Sequence, residues 1–168
     1  IVVLPKLIEL LSLEGSVVSV DAMGCQKAVA AAVRSAGADY ILRLKDNHPR
    51  VLAEMKQMFE ESRESNSTTV CVVHEEWDKG HGRIEGRQVR AFERLDWFED
   101  RKLWEGLRSV VEVVSKRMIG EQESVEKRYY LSSLPASQPE HAARLNASIR
   151  AHWGIENQLH WVLDVTLG

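Results

Sequence analysis

The sequence predicts an α/β fold with a mostly antiparallel β insert and a long C-terminal helix. An apolar, β-branched run at Val17–Val20 is typical of a buried strand, and Asp39–Leu44 is predicted to be a second one. Each is followed by a helical pattern, Cys25–Ser35 and then Pro49 to about Arg63. Strand, helix, strand, helix in this order predicts a parallel α/β unit. Alternating strand patterns in the middle of the chain predict the insert.

The parallel unit has readable boundaries. A short amphipathic helix is predicted over Pro5–Leu11, with proline at an early helical position where its missing N–H is not needed, and Gly15 ends the helix. The strand Val17–Val20 places Asp21 at its carboxyl end. The alanine-rich helix that follows is ended by Gly37.

The middle of the chain is predicted to be β-rich, with a turn at Gly80–Gly82 and a helix over Asp96–Glu105. The predicted strands are Thr69–His74, Arg83–Phe92, Leu107–Met118 and Val125–Leu131, with a hairpin connection over Ile119–Ser124. A long helix follows from about Pro139 to Val165. We therefore divide the chain into an α/β part (1–66), a β-rich insert (67–134) and a C-terminal helix (135–168).

Composition excludes several classes of protein. The chain has 168 residues, of which 44% are hydrophobic and 28% charged, and a formal net charge of −3. These values exclude a disordered chain, and the longest apolar run, Ala28–Val33, is too short to span a bilayer. Two cysteines cannot make a disulfide framework or a cysteine-based zinc site. We expect a cytoplasmic protein with no membrane partner.

Asp21 is the first candidate for chemistry. Ligands of open α/β sheets bind at the carboxyl ends of the strands, so a carboxylate there is well placed to bind a metal ion. The alternative is an aspartate that caps the following turn, and the strand by itself favours that alternative.

The C-terminal helix carries the second candidate. His152, Glu156, His160 and Asp164 recur at four-residue spacing and so share one stripe of the helix. The stripe either lines a wet cleft or metal site or is a solvated face. Zinc is disfavoured because two histidines eight residues apart lie about 12 Å apart along the axis. Glu156 with a distant aspartate suits Mg²⁺ or Mn²⁺ better, because hard cations prefer carboxylate oxygens.

Basic and polar residues suggest a nucleic-acid contact. Lys45 and Asn47 follow the second strand, where Lys45 is placed to reach a phosphate and Asn47 is equally part of a turn. His81, Arg83 and Arg87 suit a clamp on a nucleic-acid backbone, or are ordinary solubilising residues. Cys25, near a helix N-terminus, is expected to have a lowered pKa but a structural role.

Five segments, taken in order, resemble a known family. They are Val20–Gln26, Asp39–Asn47, His81–Arg87, Arg128–Leu134 and His152–Val165. Together they resemble the H-repeat-associated (ISAs-type) DDE transposases of bacterial insertion sequences. The resemblance covers nearly the whole chain, and its last segment is the most specific.

The resemblance implies a ribonuclease-H-like catalytic core with a β insert before the last catalytic helix. It implies that Asp21 and Glu156 are the second and third acidic residues of the catalytic triad and ligands of Mg²⁺ or Mn²⁺. The implied reaction is metal-dependent cleavage and transfer of DNA strands at transposon ends. DNA would be contacted by Lys45, Asn47, His81, Arg83, Arg87, His152 and His160.

Two departures from the family pattern qualify this. Related transposases often carry Tyr-x2-Arg-x3-Glu-x6-Lys, and the corresponding places here hold Ile149, His152 and Leu163. The family's first aspartate belongs upstream of this chain, so we expect a fragment lacking the early strands. Such a fragment is expected to bind Mg²⁺ weakly, to self-associate and to be inactive alone. The competing interpretation is a non-catalytic remnant that binds DNA or dimerises.

Overall fold

The computed structural model describes residues 3–64, 71–80 and 82–155. The helices are α1 (Val3–Glu9), α2 (Lys27–Ser35), α3 (Pro49–Glu64) and α4 (Pro139–Ile155), with 3₁₀ turns at Ala22–Gly24 and Glu99–Leu103. The strands are β1 (Val17–Val20), β2 (Asp39–Leu44), β3 (Val72–Gly80), β4 (Arg83–Phe92), β5 (Ser109–Ile119) and β6 (Gln122–Ser132). No helix in these residues has both the length and the apolar character needed to cross a membrane.

All six strands form one mixed sheet, in the order β1-β2-β6-β5-β4-β3. β1 and β2 are parallel, with Val17 opposite Asp39 and Val20 opposite Leu42, which confirms the predicted parallel unit. The remaining pairs are antiparallel. The α/β part of the predicted fold class is therefore confirmed.

The antiparallel strands continue the sheet of the parallel unit. β6 pairs with β2, placing Leu44 opposite Tyr129, so residues 72–132 do not make a second sheet. β3 to β6 extend several residues beyond the level of Leu44 and Tyr129. We call this extension, residues 74–80, 82–89 and 113–128, the ribbon. The ribbon projects past the carboxyl ends of β1 and β2, the edge where Asp21 lies.

Helices cover both faces of the sheet. Tyr40, Leu42 and Leu44 point towards a core shared with α1, α2 and α3, whereas Ile41 points towards the core under α4. This alternation is the two-residue period of a strand buried on both sides. Among the described residues, α4 is the helix on the second face, so it determines which residues approach the sheet there.

The structure differs from the sequence-based prediction in the region of Asp96–Glu105. A 3₁₀ turn over Glu99–Leu103 replaces the predicted helix, with extended residues at Phe98 and Trp104 on either side. Both aromatic side chains are 2% exposed. Residues six apart in an α-helix lie on different faces, so the shorter turn lets both rings reach the same core.

The ribbon hairpin is also tighter than predicted. β5 and β6 pair as far as Ile119 and Gln122, leaving Gly120 and Glu121 as the turn instead of Ile119–Ser124. Gly120 has φ 59°, which favours glycine in a two-residue hairpin turn. β3 likewise runs to Gly80, beyond the predicted end at His74.

Candidate active site at the end of the first strand

Asp21 lies directly after β1, at the carboxyl edge of the parallel pair. Its backbone is extended (φ −68°, ψ 172°), and its side chain makes no N-cap hydrogen bond to the 3₁₀ turn that follows. The side chain is 59% exposed. The alternative interpretation, a turn cap, is therefore not what the geometry shows: the carboxylate points to a place where a ligand can reach it.

Arg43, near the end of β2, is the closest charged partner of Asp21. Its Nη1 lies 3.2 Å from Asp21 Oδ1. Burial acts to raise the pKa of Asp21, but the Ala22 backbone amide and the Arg43 guanidinium outweigh it, so the pKa lies below its usual value. The carboxylate is therefore ionised at neutral pH. Arg43 was not predicted from the sequence, because its place beside Asp21 depends on the register between β1 and β2.

His152 on α4 lies at the same edge of the sheet as Asp21, next to β1. A hydrogen bond of 3.0 Å joins its Nδ1 to Ser19 Oγ on β1. Together with Asp21, Arg43 and other residues it encloses a cavity of about 20 Å³, which is room for one water-sized group. The structure thus brings together Asp21 and His152, two residues predicted from opposite ends of the chain.

The loop after β2 braces the loop that follows Asp21. Asn47 Nδ2 donates to the carbonyls of Ala22 (2.8 Å) and Cys25 (3.4 Å), and His48 Nε2 lies 2.7 Å from the Cys25 carbonyl. The amide of Asn47 therefore holds the backbone next to Asp21 in place. Lys45 is exposed beside it.

Cys25 corrects one expectation. It was expected to have a lowered pKa at a helix N-terminus, but it precedes α2 as the C-cap of the 3₁₀ turn and is fully buried. Burial raises the pKa of its thiol to about 12. The expected structural role agrees with this burial.

Arg83 and Arg87 point to the same face of β4, as the alternation predicted, but they lie at different distances from Asp21. Arg87 is opposite Ser115, which is opposite Glu126 on β6. Glu126 is three residues from Tyr129, the residue opposite Leu44, so Arg87 lies about 10 Å along the strands from the end of β2. Arg83 is four residues further out and pairs with Glu85 at 3.3 Å. The structure therefore does not gather Arg83 with Lys45.

Arg87 is held beneath α4. Its Nε donates to Asn146 Oδ1 at 2.8 Å, whereas its buried Nη2 has no hydrogen-bond partner in the described part of the chain. Burial lowers the pKa of this guanidinium. Arg87 thus joins α4 to β4 and retains one unsatisfied donor.

An open cleft of about 830 Å³ lies between α4 and the ribbon. Along β6, Tyr130 lines the small cavity at Asp21, and Glu126, on the same face of the strand, lines the cleft. The cleft therefore lies further out along β6 than the cavity at Asp21, by about 13 Å between Tyr130 and Glu126. Its charged lining is mixed: Arg87, Lys116, Arg117 and Arg150 with Glu76, Asp78, Glu85 and Glu126.

Three predicted residues, His81, Glu156 and His160, lie outside the described residues. Within residues 3–64, 71–80 and 82–155, no group of three or more His, Cys, Asp or Glu side chains could hold a metal ion. Asp21 contributes one oxygen ligand of the kind that Mg²⁺ and Mn²⁺ prefer. By themselves, the described residues do not make a divalent-cation site.

Comparison with known proteins gives a consistent result. A family model described as "Transposase DDE domain" matches residues 1–168. A putative transposase, YncI, of Escherichia coli O157:H7 is 35% identical over 99% of this chain and 42% of its own length. An H repeat-associated putative transposase, YhhI, of Escherichia coli K12 is 32% identical over 99% of this chain and 44% of its own length.

A third relative carries no functional description. An uncharacterized protein encoded in the dhlA 3′ region of Xanthobacter autotrophicus is 35% identical over 79% of this chain and 44% of its own length. This chain spans less than half the length of each of these relatives. No solved structure matches it.

Proposed function

Because this chain belongs to the DDE transposase family, we propose that Asp21 and Glu156 are its contribution to a site for metal-dependent DNA strand cleavage and transfer. The observation that carries the proposal is the hydrogen bond between Ser19 and His152, which docks α4 at the strand that delivers Asp21. The chain continues from α4 to Glu156, 135 positions after Asp21 in the sequence.

The spacing of the last helix supports the role of Glu156. Residues four apart lie on one face of a helix and about 6 Å apart along its axis. Glu156 is four residues after His152, and we propose that its carboxylate lies close to that of Asp21. Two neighbouring carboxylates are suited to share a hard divalent cation.

The family's divalent cation would supply charge stabilisation at the phosphate during strand cleavage and transfer. In this chain Asp21 would present an ionised carboxylate. Asn47 would hold the backbone of the loop that follows Asp21. The cation is Mg²⁺ or Mn²⁺ and is bound weakly, since the described residues offer one carboxylate.

DNA is the proposed partner, reached through phosphate contacts. Lys45 is exposed at the carboxyl edge of β2, beside the site. Arg87 lines the cleft between α4 and the ribbon, and Arg83 is 45% exposed on the outer ribbon. We propose that His152 and Asn47 also contact DNA, as do His81 and His160, which lie outside the described residues. A protein with these partners works in the bacterial cytoplasm.

We further propose that this chain forms part of a ribonuclease-H-like core and is inactive alone. Within the described sheet, β1 pairs on one side only, with β2. A further strand could add to its outer edge and bring another carboxylate to Asp21. The second candidate function, a DNA-binding or dimerising remnant without catalysis, is favoured by that same unpaired edge.

The test is cleavage of transposon-end DNA with Mg²⁺ or Mn²⁺ by this chain and by the full-length relative YhhI. We expect cleavage by the relative, its loss when the residues of the relative that align with Asp21 and Glu156 are replaced by Asn and Gln respectively, and none by this chain. Cleavage by this chain that disappears in Glu156→Gln would contradict the proposed inactivity. Undiminished cleavage by the substituted relative would contradict the proposed site.

A further inference from the structure

Resting on the proposed function, we propose that Arg43 occupies the place of a cation at Asp21 and thereby lowers the affinity of this chain for a divalent metal ion. The candidate site contains a positive charge already bound to the carboxylate that would ligate the metal. Arg43 is thus a residue that sets metal affinity rather than a ligand.

The contact is fixed by the sheet. Val20 and Leu42 are opposite each other in the parallel pair, so the next residue of each strand emerges at the same edge. Arg43 is opposite Tyr130 on β6 and shares the α4 face of the sheet with Ile41. Its side chain is 23% exposed, so the guanidinium is confined beside Asp21 rather than free to sweep the surface.

The bond uses one carboxylate oxygen. Arg43 Nη1 lies 3.2 Å from Asp21 Oδ1, and the Ala22 backbone amide also donates to this carboxylate. A metal ion on Oδ2 would stand about 5 Å from the guanidinium, and a metal ion on Oδ1 would have to displace it. Both arrangements oppose binding, the first by repulsion between like charges and the second by loss of the ion pair.

The magnitude follows from the charges. A divalent ion and a guanidinium about 5 Å apart repel enough, even at the dielectric constant of water, to change affinity by about tenfold. Salt reduces this factor at an exposed site, so it is largest at low ionic strength.

The experiment is titration of this chain with Mn²⁺ alone at low ionic strength, following the electron paramagnetic resonance signal of free Mn²⁺. Arg43→Gln should bind Mn²⁺ about tenfold more tightly, whereas Arg43→Lys, which keeps the charge, should stay within about twofold of the parent. Arg108→Gln is the matched control. Arg108 makes an ion pair with Glu93 of the same 3.2 Å length, towards the other end of β2 from Asp21. Circular dichroism and thermal melting verify that each variant is folded.

Asp21→Asn separates this inference from the function it rests on. Loss of Mn²⁺ binding in Asp21→Asn, with tighter binding in Arg43→Gln, supports both. If Asp21→Asn loses binding but Arg43→Gln gains none, the role of Arg43 is wrong and Asp21 remains a ligand. Both proposals are overturned if Asp21→Asn binds Mn²⁺ as tightly as the parent and Asp21→Asn/Arg43→Gln binds it as tightly as Arg43→Gln. They are also overturned if no variant binds Mn²⁺.

Discussion

At the scale of single residues, Asp21 and Cys25 differ strongly in exposure. Asp21 is 59% exposed and ionised beside Arg43, whereas Cys25, four residues later, is fully buried. The short turn between them separates a ligand-accessible carboxylate from the core. Loops at strand ends commonly carry function on a rigid scaffold in this way.

Burial of Cys25 predicts an alkaline loss of stability. Its pKa is about 12 in the folded chain, above the ordinary value near 9, so folding favours the protonated thiol. The stabilisation is complete below pH 9 and is lost as the pH rises towards 12, at about 1.4 kcal/mol per pH unit.

The measurement is urea unfolding of the parent and Cys25→Ala between pH 7 and pH 10. We expect Cys25→Ala to be less stable at pH 7, because it leaves a cavity, but to lose less stability than the parent above pH 9. Parallel pH profiles for the two proteins would mean that the thiol is not protected as the structure indicates.

At the scale of elements, α3 is attached to the sheet by a buried ion pair. Arg63, in its last turn, contacts Glu112 on β5, and the Glu112 side chain is 0% exposed. Burial and the Glu112 carboxylate raise the pKa of neighbouring Tyr129. Arg90 adds a hydrogen bond of 3.0 Å to Ser62. Polar contacts therefore join the end of α3 to β4 and β5.

Replacing Arg63 by Met should destabilise the chain by about 3 kcal/mol, because it leaves the Glu112 carboxylate buried and uncompensated. Chemical denaturation measures the loss. Arg63→Met/Glu112→Met should recover much of it, since two apolar side chains need no partners. The exposed Arg50, paired with Glu99, supplies a control, Arg50→Met, with little or no effect. An equal loss in Arg50→Met and Arg63→Met would contradict this account.

The sequence predicted the elements where hydrophobic patterning is strong. β1 is an apolar, β-branched run and β2 is mostly apolar and buried, and their parallel pairing followed from the helix between them. The ribbon was underestimated because its outer residues, such as Arg117 and Glu123, are exposed on both faces and carry no apolar alternation. Their strand structure comes from cross-strand hydrogen bonds, which a single strand's pattern does not encode.

Some residues of the candidate site could likewise be predicted from the sequence. Asp21 could be identified from its place at a strand end, and the four-residue stripe of the last helix identified His152. Arg43 could not, because within its own strand it is simply a charged residue in an apolar run. Its significance comes from the register between β1 and β2, a tertiary feature.

At the scale of the whole molecule, the uneven surface predicts weak, salt-sensitive DNA binding. The net charge is −3, and the cleft between α4 and the ribbon mixes both signs. Binding would rest on a few phosphate contacts, and the slope of log affinity against log salt reports their number. Lys45→Ala and Arg83→Ala should each weaken binding to all sequences alike, as measured by fluorescence anisotropy. Affinity insensitive to salt and to both changes would contradict the proposed path.

The sheet edge predicts self-association. β1 is paired on one side in the described sheet, and α1 beside it exposes Val3 and Leu7 by 73% and 49%. Unpaired edges and apolar surface favour pairing between chains. Light scattering after size exclusion should show dimers or larger species, and Val18→Pro, which disrupts the edge, should shift them towards monomer. A monomer at high concentration would contradict this prediction.

The central claim is that Asp21 and Glu156 lie side by side, and chemical cross-linking tests it most directly. In a Cys71→Ser background, Asp21→Cys/Glu156→Cys is treated with a bismaleimide about 8 Å long, and cross-linked peptides are identified by mass spectrometry. Ser19→Cys/His152→Cys is the positive control, since those side chains are hydrogen-bonded. Asp21→Cys/Ser35→Cys, whose positions lie towards opposite ends of β1, is the negative control. The account predicts a 21–156 cross-link at the yield of the positive control; a yield no higher than that of the negative control would contradict it.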